Sequence, residues 1–226
     1  SSRQRKEILY AISEGIQREK EAFIDTIIFE SGKPYIYAKG EVERAIQTFH
    51  VAAEEVGRNE GEYIALDWTT PGEGKSGLTQ RFPIGVVGGI APFNFPLNLV
   101  AHKVAPAIAS GCPIILKPAS KTPFTALKLA EVVHQTNLPD IGFSVMPCDR
   151  ETGNLLVTSE KIALLSFTGS PAVGWKMKAH AGKKKVVLEL GGNAAAIIHQ
   201  DADLDHAVER MFIGGFAYSG QVCIHT

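Results

Sequence analysis

IGVVGGIAPFNFPLNLVAHKVAPAIASGCPIILKPAS, residues 84–120, holds three elements in a row. IGVVGGI is apolar at every position, as a strand covered on both faces of its sheet would be. PLNLVAHKVAPAIASG carries a helical pattern, and Pro106 predicts a bend before it. CPIILKP is a second apolar strand. A buried strand, a helix and a buried strand make the repeating unit of a parallel sheet with helices on its faces.

The same texture continues toward the C-terminus. Thr122-Pro123 predicts a helix start, with a cap followed by an N1 proline, running to about Gln135. FSVMP reads as a strand, TGNLLVTS as a short helix, IALLSFTG as a strand and SPAVGWKMKAHAG as a helix. KKVVLEL and AAAIIH read as two more strands. DADLDHAVERMFIGGFAYSG is a helix that leads to Cys223. Toward the N-terminus, Ile8, Ile12, Ile16, Phe23 and Ile27 place one apolar face on a helix that stops at Ser31-Gly32-Lys33-Pro34. A second helix spans about Tyr35 to Val56. GRNEGEYIALDWTTPGEGKSGLTQ is a loop with short edge strands. The fold expected is α/β: a doubly wound, mainly parallel sheet with helices on both faces, preceded by N-terminal helices.

Composition narrows the function. The 226 residues are 21% charged and 45% hydrophobic, with a net charge of -1. Nothing in that balance suits a polyanionic partner, so no nucleic acid is expected. The longest apolar region, 82–101, is broken by prolines and glycines and is no membrane span. The start, SSRQRKEILYAISEG, has no apolar signal-peptide core. Three cysteines, Cys112, Cys148 and Cys223, without paired spacing argue against disulfides and against a metal site. A cytoplasmic setting is expected.

In doubly wound sheets, ligands bind beyond the carboxyl ends of the strands. That selects GGIAPFN, LKPAS, FTGS and LELGGN. In FTGSPAVG, Gly169 and Ser170 turn the chain into a helix N-terminus, which suits a phosphate or is an ordinary cap. Gly85, Gly88 and Gly89 do not have the G-x-G-x-x-G spacing, so a nucleotide would bind by another arrangement. Lys117 ends a strand, within reach of ligand hydroxyls or phosphates, or is a solvent lysine. Asn94 is held between Pro92 and Pro96 and could donate to a developing oxyanion, or bond its own turn. Cys223, on a glycine-bearing loop, is either an exposed thiol or a small buried hydrophobe. His225 is two residues on, in poor geometry for a Cys–His pair. Glu189 lies in an apolar strand end, where desolvation would raise its pKa and make it a base near neutral pH. The alternative is a salt bridge to Lys183, Lys184 or Lys185.

APFNFP, ILKPAS, FTGS, LELGGN and GQVC, in that order and with ESGKP upstream, resemble the NAD(P)-dependent aldehyde dehydrogenase superfamily over the whole chain. The resemblance implies that Cys223 is the nucleophile attacking the aldehyde and that Asn94 is the side-chain donor of the oxyanion hole. It implies that Glu189 activates the hydrolytic water. Lys117, Ser120, Gly169, Ser170, Phe93, Pro92, Leu190 and Gly153 are the implied cofactor-binding set. Phe93 stands where many members carry tryptophan. Ser120 stands where many NAD-preferring members carry a glutamate for the ribose 2′-hydroxyl, so the cofactor is NAD or NADP. The resemblance also implies a small aldehyde substrate, a homodimer or homotetramer, and a second α/β domain following the cysteine. Residues 1–81 are then N-terminal helices and edge strands, 82–215 the cofactor-binding domain, and 216–226 the start of the catalytic domain. Two alternatives stand beside a hydrolytic enzyme: a CoA-acylating member, against which Glu189 argues, and an inactive cofactor-binding fragment.

Overall fold

The computed structural model describes residues 1–58 and 61–224; His225 lies outside them. The first helical segment is kinked into α1 (Ser2–Arg18) and α2 (Lys20–Ser31). Helical bonding runs on through the kink, from Glu19 N to Gly15 O and from Phe23 N to Glu19 O. The Glu19 carboxylate at that point is tied to Lys128 at 2.6 Å. Gly32 ends α2 in the left-handed region at φ 66, a conformation that costs glycine little. α3 (Tyr35–Glu55) follows, burying Ala38, Val42, Ala45 and Phe49 along one stripe. The polar stretch after it forms an exposed antiparallel pair, β1 (Tyr63–Ala65) with β2 (Ser76–Leu78).

The remaining strands are β3 (Val87–Ile90), β4 (Ile114–Lys117), β5 (Phe143–Val145), β6 (Leu164–Gly169) and β7 (Lys185–Leu190). They form one all-parallel sheet in the order β5-β4-β3-β6-β7. The helices are α4 (Asn98–Ser110), α5 (Phe124–His134), the short α6 (Arg150–Gly153) and α7 (Leu155–Thr158), α8 (Pro171–His180) and α9 (Leu204–Phe216). Strand alternation separates two cores. Val87, Ile114 and Leu116 point to one face, under α1, α3, α4 and α5. Ile90, Leu165 and Phe167 point to the other, where Val157 of α7 and Ala181, just after α8, close a smaller cluster. The chain leaves β3 toward β4 on one side and returns at β6 on the other, so the topological switch lies between β3 and β6. Because every strand is parallel, Ala91, Pro118, Ser170 and Gly191 all emerge along the same edge.

Two expectations change. AAAIIH is not a strand: residues 191–199 are exposed and without regular structure. Among the described residues nothing pairs with the outer side of β7, so a strand there has no ladder to join. For the same reason β7 is not covered on both faces. Val186, Leu188 and Leu190 are half-buried, whereas Lys185, Val187 and Glu189 are exposed. α9, capped by Asp203 accepting from His206 N, leaves Leu204, Phe212 and Phe216 exposed as well.

Candidate active site at the carboxyl edge of the sheet

Two loops from opposite ends of the sequence meet at the end of β3. The Asn94 side-chain amide donates to the carbonyl of Gln221 at 2.7 Å. Cys223 follows two residues later with an exposed thiol, while Cys112 is buried and Cys148 half-buried. The carbonyl of Cys223 also borders Gly192, where a Cβ would stand 4.0 Å from it. The loops after β3 and β7 and the cysteine segment are therefore neighbours. Asn94 Oδ1 is buried and has no hydrogen-bond partner among the described residues. Tyr218 and Ser219, at φ 47 and φ 54, hold the cysteine segment in a left-handed bend rarely adopted by side chains of their size.

Glu189 sits on the exposed face of β7 and makes no ion pair among the described residues. The desolvated setting expected for its carboxyl is absent, because the edge strand has one open face. The salt bridge to Lys183, Lys184 or Lys185 is absent too. Lys184 instead donates to the carbonyls of Val157 and Ala181.

The groups suited to a dinucleotide line the ends of β4 and β6. Lys117 is buried, and its ammonium has one acceptor among the described residues, the Pro118 carbonyl at 3.2 Å. Its stem runs across Gly153, where a Cβ would fall 2.6 Å from Lys117 Cδ. Gly153 thus serves as the floor over which the lysine passes. Asp149 caps the helix that carries Gly153, and its hydrogen bond from Thr152 N lowers its pKa. Ser120 is exposed. Gly169 admits no side chain, since a Cβ there would lie 2.6 Å from the Phe167 ring. Ser170 precedes Pro171 at the first turn of α8 and makes no side-chain cap. Phe93 is exposed, with Lys121 Nζ 6.0 Å from its ring centre. Pro92 and Leu190 are half-buried on either side of this edge. A lysine with unused donors, two close-approach glycines and an open helix N-terminus fit an anionic, hydroxyl-rich cofactor.

Three features here escaped sequence reading. Lys33, read there only as part of a helix stop, has its ammonium on Glu41 Oε2 at 2.5 Å and on the Asn94 carbonyl at 2.6 Å. Lys103 lies on the apolar stripe of α4, and its stem crosses Gly89. Its ammonium donates to Ser166 Oγ at 3.1 Å and Thr168 Oγ1 at 2.8 Å. Burial lowers Lys103 to about 8, opposed by the charge of Glu189, the register partner of Thr168. The signal in both cases was a charge inside a buried helical stripe: Glu41 among Ala38, Val42 and Ala45, and Lys103 among Val100, Ala101 and Val104. Third, a cavity of about 490 Å³ lined by Phe95, Tyr218 and Val222 reaches Arg44 and Gln47. A second cavity, with His102 in its wall, begins at those same two residues. Desolvation lowers the His102 pKa, and the charges of Arg44 and Lys103 lower it further.

The sequence profile of the aldehyde dehydrogenase family matches residues 1–226. A 3-sulfolactaldehyde dehydrogenase of Priestia aryabhattai is 40% identical over 222 residues, which are 98% of this chain and 46% of that protein. The crystal structure of aldehyde dehydrogenase 21 from Physcomitrella patens, in complex with the reaction product succinate, superposes with a TM-score of 0.96 at 50% identity. It is covered over 47% of its length by the whole of this chain. An NADP complex of a glyceraldehyde-3-phosphate dehydrogenase from Methanocaldococcus jannaschii gives a TM-score of 0.94 at 40% identity, covering 100% of this chain and 49% of that one. The chain spans about half the length of the relatives it matches.

Proposed function

This chain belongs to the aldehyde dehydrogenase family, and from that premise we propose that the protein carrying it oxidises an aldehyde to a carboxylic acid with NAD or NADP. The observation that supports this most is the hydrogen bond between the Asn94 amide and the segment bearing Cys223. Through it the Asn94 amide and the segment with an exposed thiol lie on adjoining loops. In this reading the Cys223 thiolate attacks the carbonyl carbon, a C–S bond forms, and the carbonyl electron pair moves to oxygen. Asn94 Nδ2 and the Cys223 backbone N–H donate to that oxygen as its charge develops. Bound NAD(P) supplies the hydride acceptor that takes the adduct to the oxidation level of a thioester. Glu189 then takes a proton from water as the water oxygen bonds to the acyl carbon and the C–S bond breaks. The exposed face of β7 suits this, since water reaches Glu189 without a channel. The Lys103 ammonium is close enough to feel the charge of Glu189.

Lys117, over Gly153, is assigned to the ribose hydroxyls, and Gly169 with Ser170 to the pyrophosphate. Ser120 offers no carboxylate to repel a 2′-phosphate, so NADP should bind comparably to NAD. Ser120→Glu should weaken NADP far more than NAD, and equal effects on both would sink that reading. Residues 82–215 then form the cofactor-binding unit, with 1–81 packed on it and 216–226 opening the catalytic part.

Arg44 favours an aldehyde with an anionic tail. The cavity that begins beside Val222 carries this cation, and the sulfolactaldehyde and succinate named for two relatives are both anionic. Arg44→Met should raise KM for a carboxylate-bearing aldehyde and leave a neutral aldehyde of the same length unchanged; equal shifts would refute the assignment. The reaction itself is tested in the complete protein by Cys223→Ala. Turnover should vanish while NAD(P) binding, read by fluorescence titration, persists. Aldehyde oxidation at the normal rate by the alanine variant would overturn the reading.

A further inference from the structure

Lys33 and Glu41 have side chains with 0% exposure and pair at 2.5 Å. Exchanging a buried ion pair for apolar groups of similar volume is often neutral or stabilising, so stability does not account for this one. Its connections do. Glu41 Oε1 accepts from Leu97 N at 2.8 Å and Asn98 N at 3.1 Å, fixing the start of α4. Lys33 Nζ donates to the Asn94 carbonyl at 2.6 Å. The same ammonium lies 4.1 Å from the Phe95 ring centre and 4.4 Å from that of Tyr218. Tyr218 is one of the two left-handed residues of the cysteine segment, and its hydroxyl donates to the Ser31 carbonyl at 3.2 Å. One buried cation therefore holds the backbone of the oxyanion donor and the aromatic ring of the nucleophile's loop, while its carboxylate partner holds the helix that follows the donor.

We propose that the Lys33–Glu41 pair is a positioning device that sets Asn94 and the Cys223 segment in register for attack on the aldehyde. The inference rests on the oxidation chemistry proposed above and adds two residues that touch neither substrate nor cofactor. Both loops are irregular and meet across 127 residues of sequence. Without a shared anchor each would find its own position, and an error of 1 Å in a reacting geometry costs about 10²-fold in rate. A cation suits the task, because one ammonium donates to a carbonyl and binds two aromatic faces at once.

The test uses Lys33→Met combined with Glu41→Gln in the complete protein. Both charges go together, so none is left buried and unpaired, and the new amide still accepts from Leu97 N and Asn98 N. The expected result is a folded protein with wild-type NAD(P) affinity and aldehyde KM, but a cysteine-dependent NAD(P)H burst slowed about 10²-fold. In an Asn94→Ala background the same pair should add clearly less than its loss in the wild-type background, because one of the two groups being positioned is already gone. Glu41→Asp, which keeps both charges and draws the carboxylate back by one methylene, should slow the burst while retaining the melting temperature within a few degrees. It supplies the test if the double variant does not fold. A wild-type burst rate in a folded variant, or losses that add fully to those of Asn94→Ala, would overturn the proposal. If wild type itself shows no burst that depends on Cys223, the oxidation chemistry fails and this inference falls with it.

Discussion

The side-chain amide of Asn94 lies 2.7 Å from the carbonyl of Gln221, while the oxygen of that same amide is buried without a partner among the described residues. One end of the group joins the cysteine segment, and the other is held out of water with nothing to receive. An asparagine serving only its own turn would have both ends satisfied locally. Asn94→Ala should slow the burst of NAD(P)H about 10²–10³-fold, the usual cost of one oxyanion donor. It should cost only about 1 kcal/mol in stability, because the orphaned oxygen leaves with the donor. Stopped-flow absorbance together with a melting curve measures both, and an unchanged burst rate would remove Asn94 from the mechanism.

Gly153→Ala tests the cradle under Lys117. The added methyl would fall 2.6 Å from Cδ and 2.8 Å from Cε of Lys117, at the far end of a flexible chain. The lysine can move aside, so the melting temperature should hardly change, but its ammonium then leaves its place. Losing a charge-assisted hydrogen bond costs about 1.5–3 kcal/mol, a weakening of NAD(P) by about tenfold or more. Unaltered cofactor affinity by calorimetry would show that Lys117 does not bind the ligand.

Glu189→Gln separates water activation from thiol activation. The side chain is exposed and makes no ion pair among the described residues, so its replacement should change stability little beyond its effect on Lys103. With water activation lost, one equivalent of NAD(P)H forms at the normal rate and steady-state turnover falls about 10²–10⁴-fold. Steady-state turnover equal to wild type would exclude Glu189 as the base. A slowed burst that recovers as pH rises would assign it to the thiol instead. Wild-type turnover that requires coenzyme A would favour the acylating alternative.

Lys103 should write itself into the pH dependence of stability. Burial lowers its pKa to about 8 from 10.5. Between those two values the unfolded chain holds a proton that the folded chain has released, so stability from this group rises with pH across that window. Below pH 8 both states are protonated, and burying the charge is a constant cost. Lys103→Met should therefore lose its stability advantage over wild type by about 3 kcal/mol between pH 7.5 and 10.5. Urea melts at several pH values measure this, and parallel curves for the two proteins would contradict the burial argument. Removing the opposing charge with Glu189→Gln should shift the onset to lower pH.

The sequence alone determined most of the strands and helices and their order, because these follow from local rules. An all-apolar run such as PIILK needs cover on both faces. Gly32 and Pro34 stop a helix. Family motifs likewise marked Asn94, Cys223 and Lys117 as residues worth following. Tertiary structure decided which of these meet and what surrounds them. AAAIIH has every local feature of a strand, yet strands need a partner, and β7 offers none on that side among the described residues. Glu189 reads as buried from its neighbours in sequence, but burial depends on what covers the sheet, and Lys185, Val187 and Glu189 lie on an exposed face of β7. Lys33, Glu41 and Lys103 look like ordinary charges on amphipathic helices. Only the fold shows that they point inward, because the direction of a side chain is fixed by packing between elements far apart in the chain.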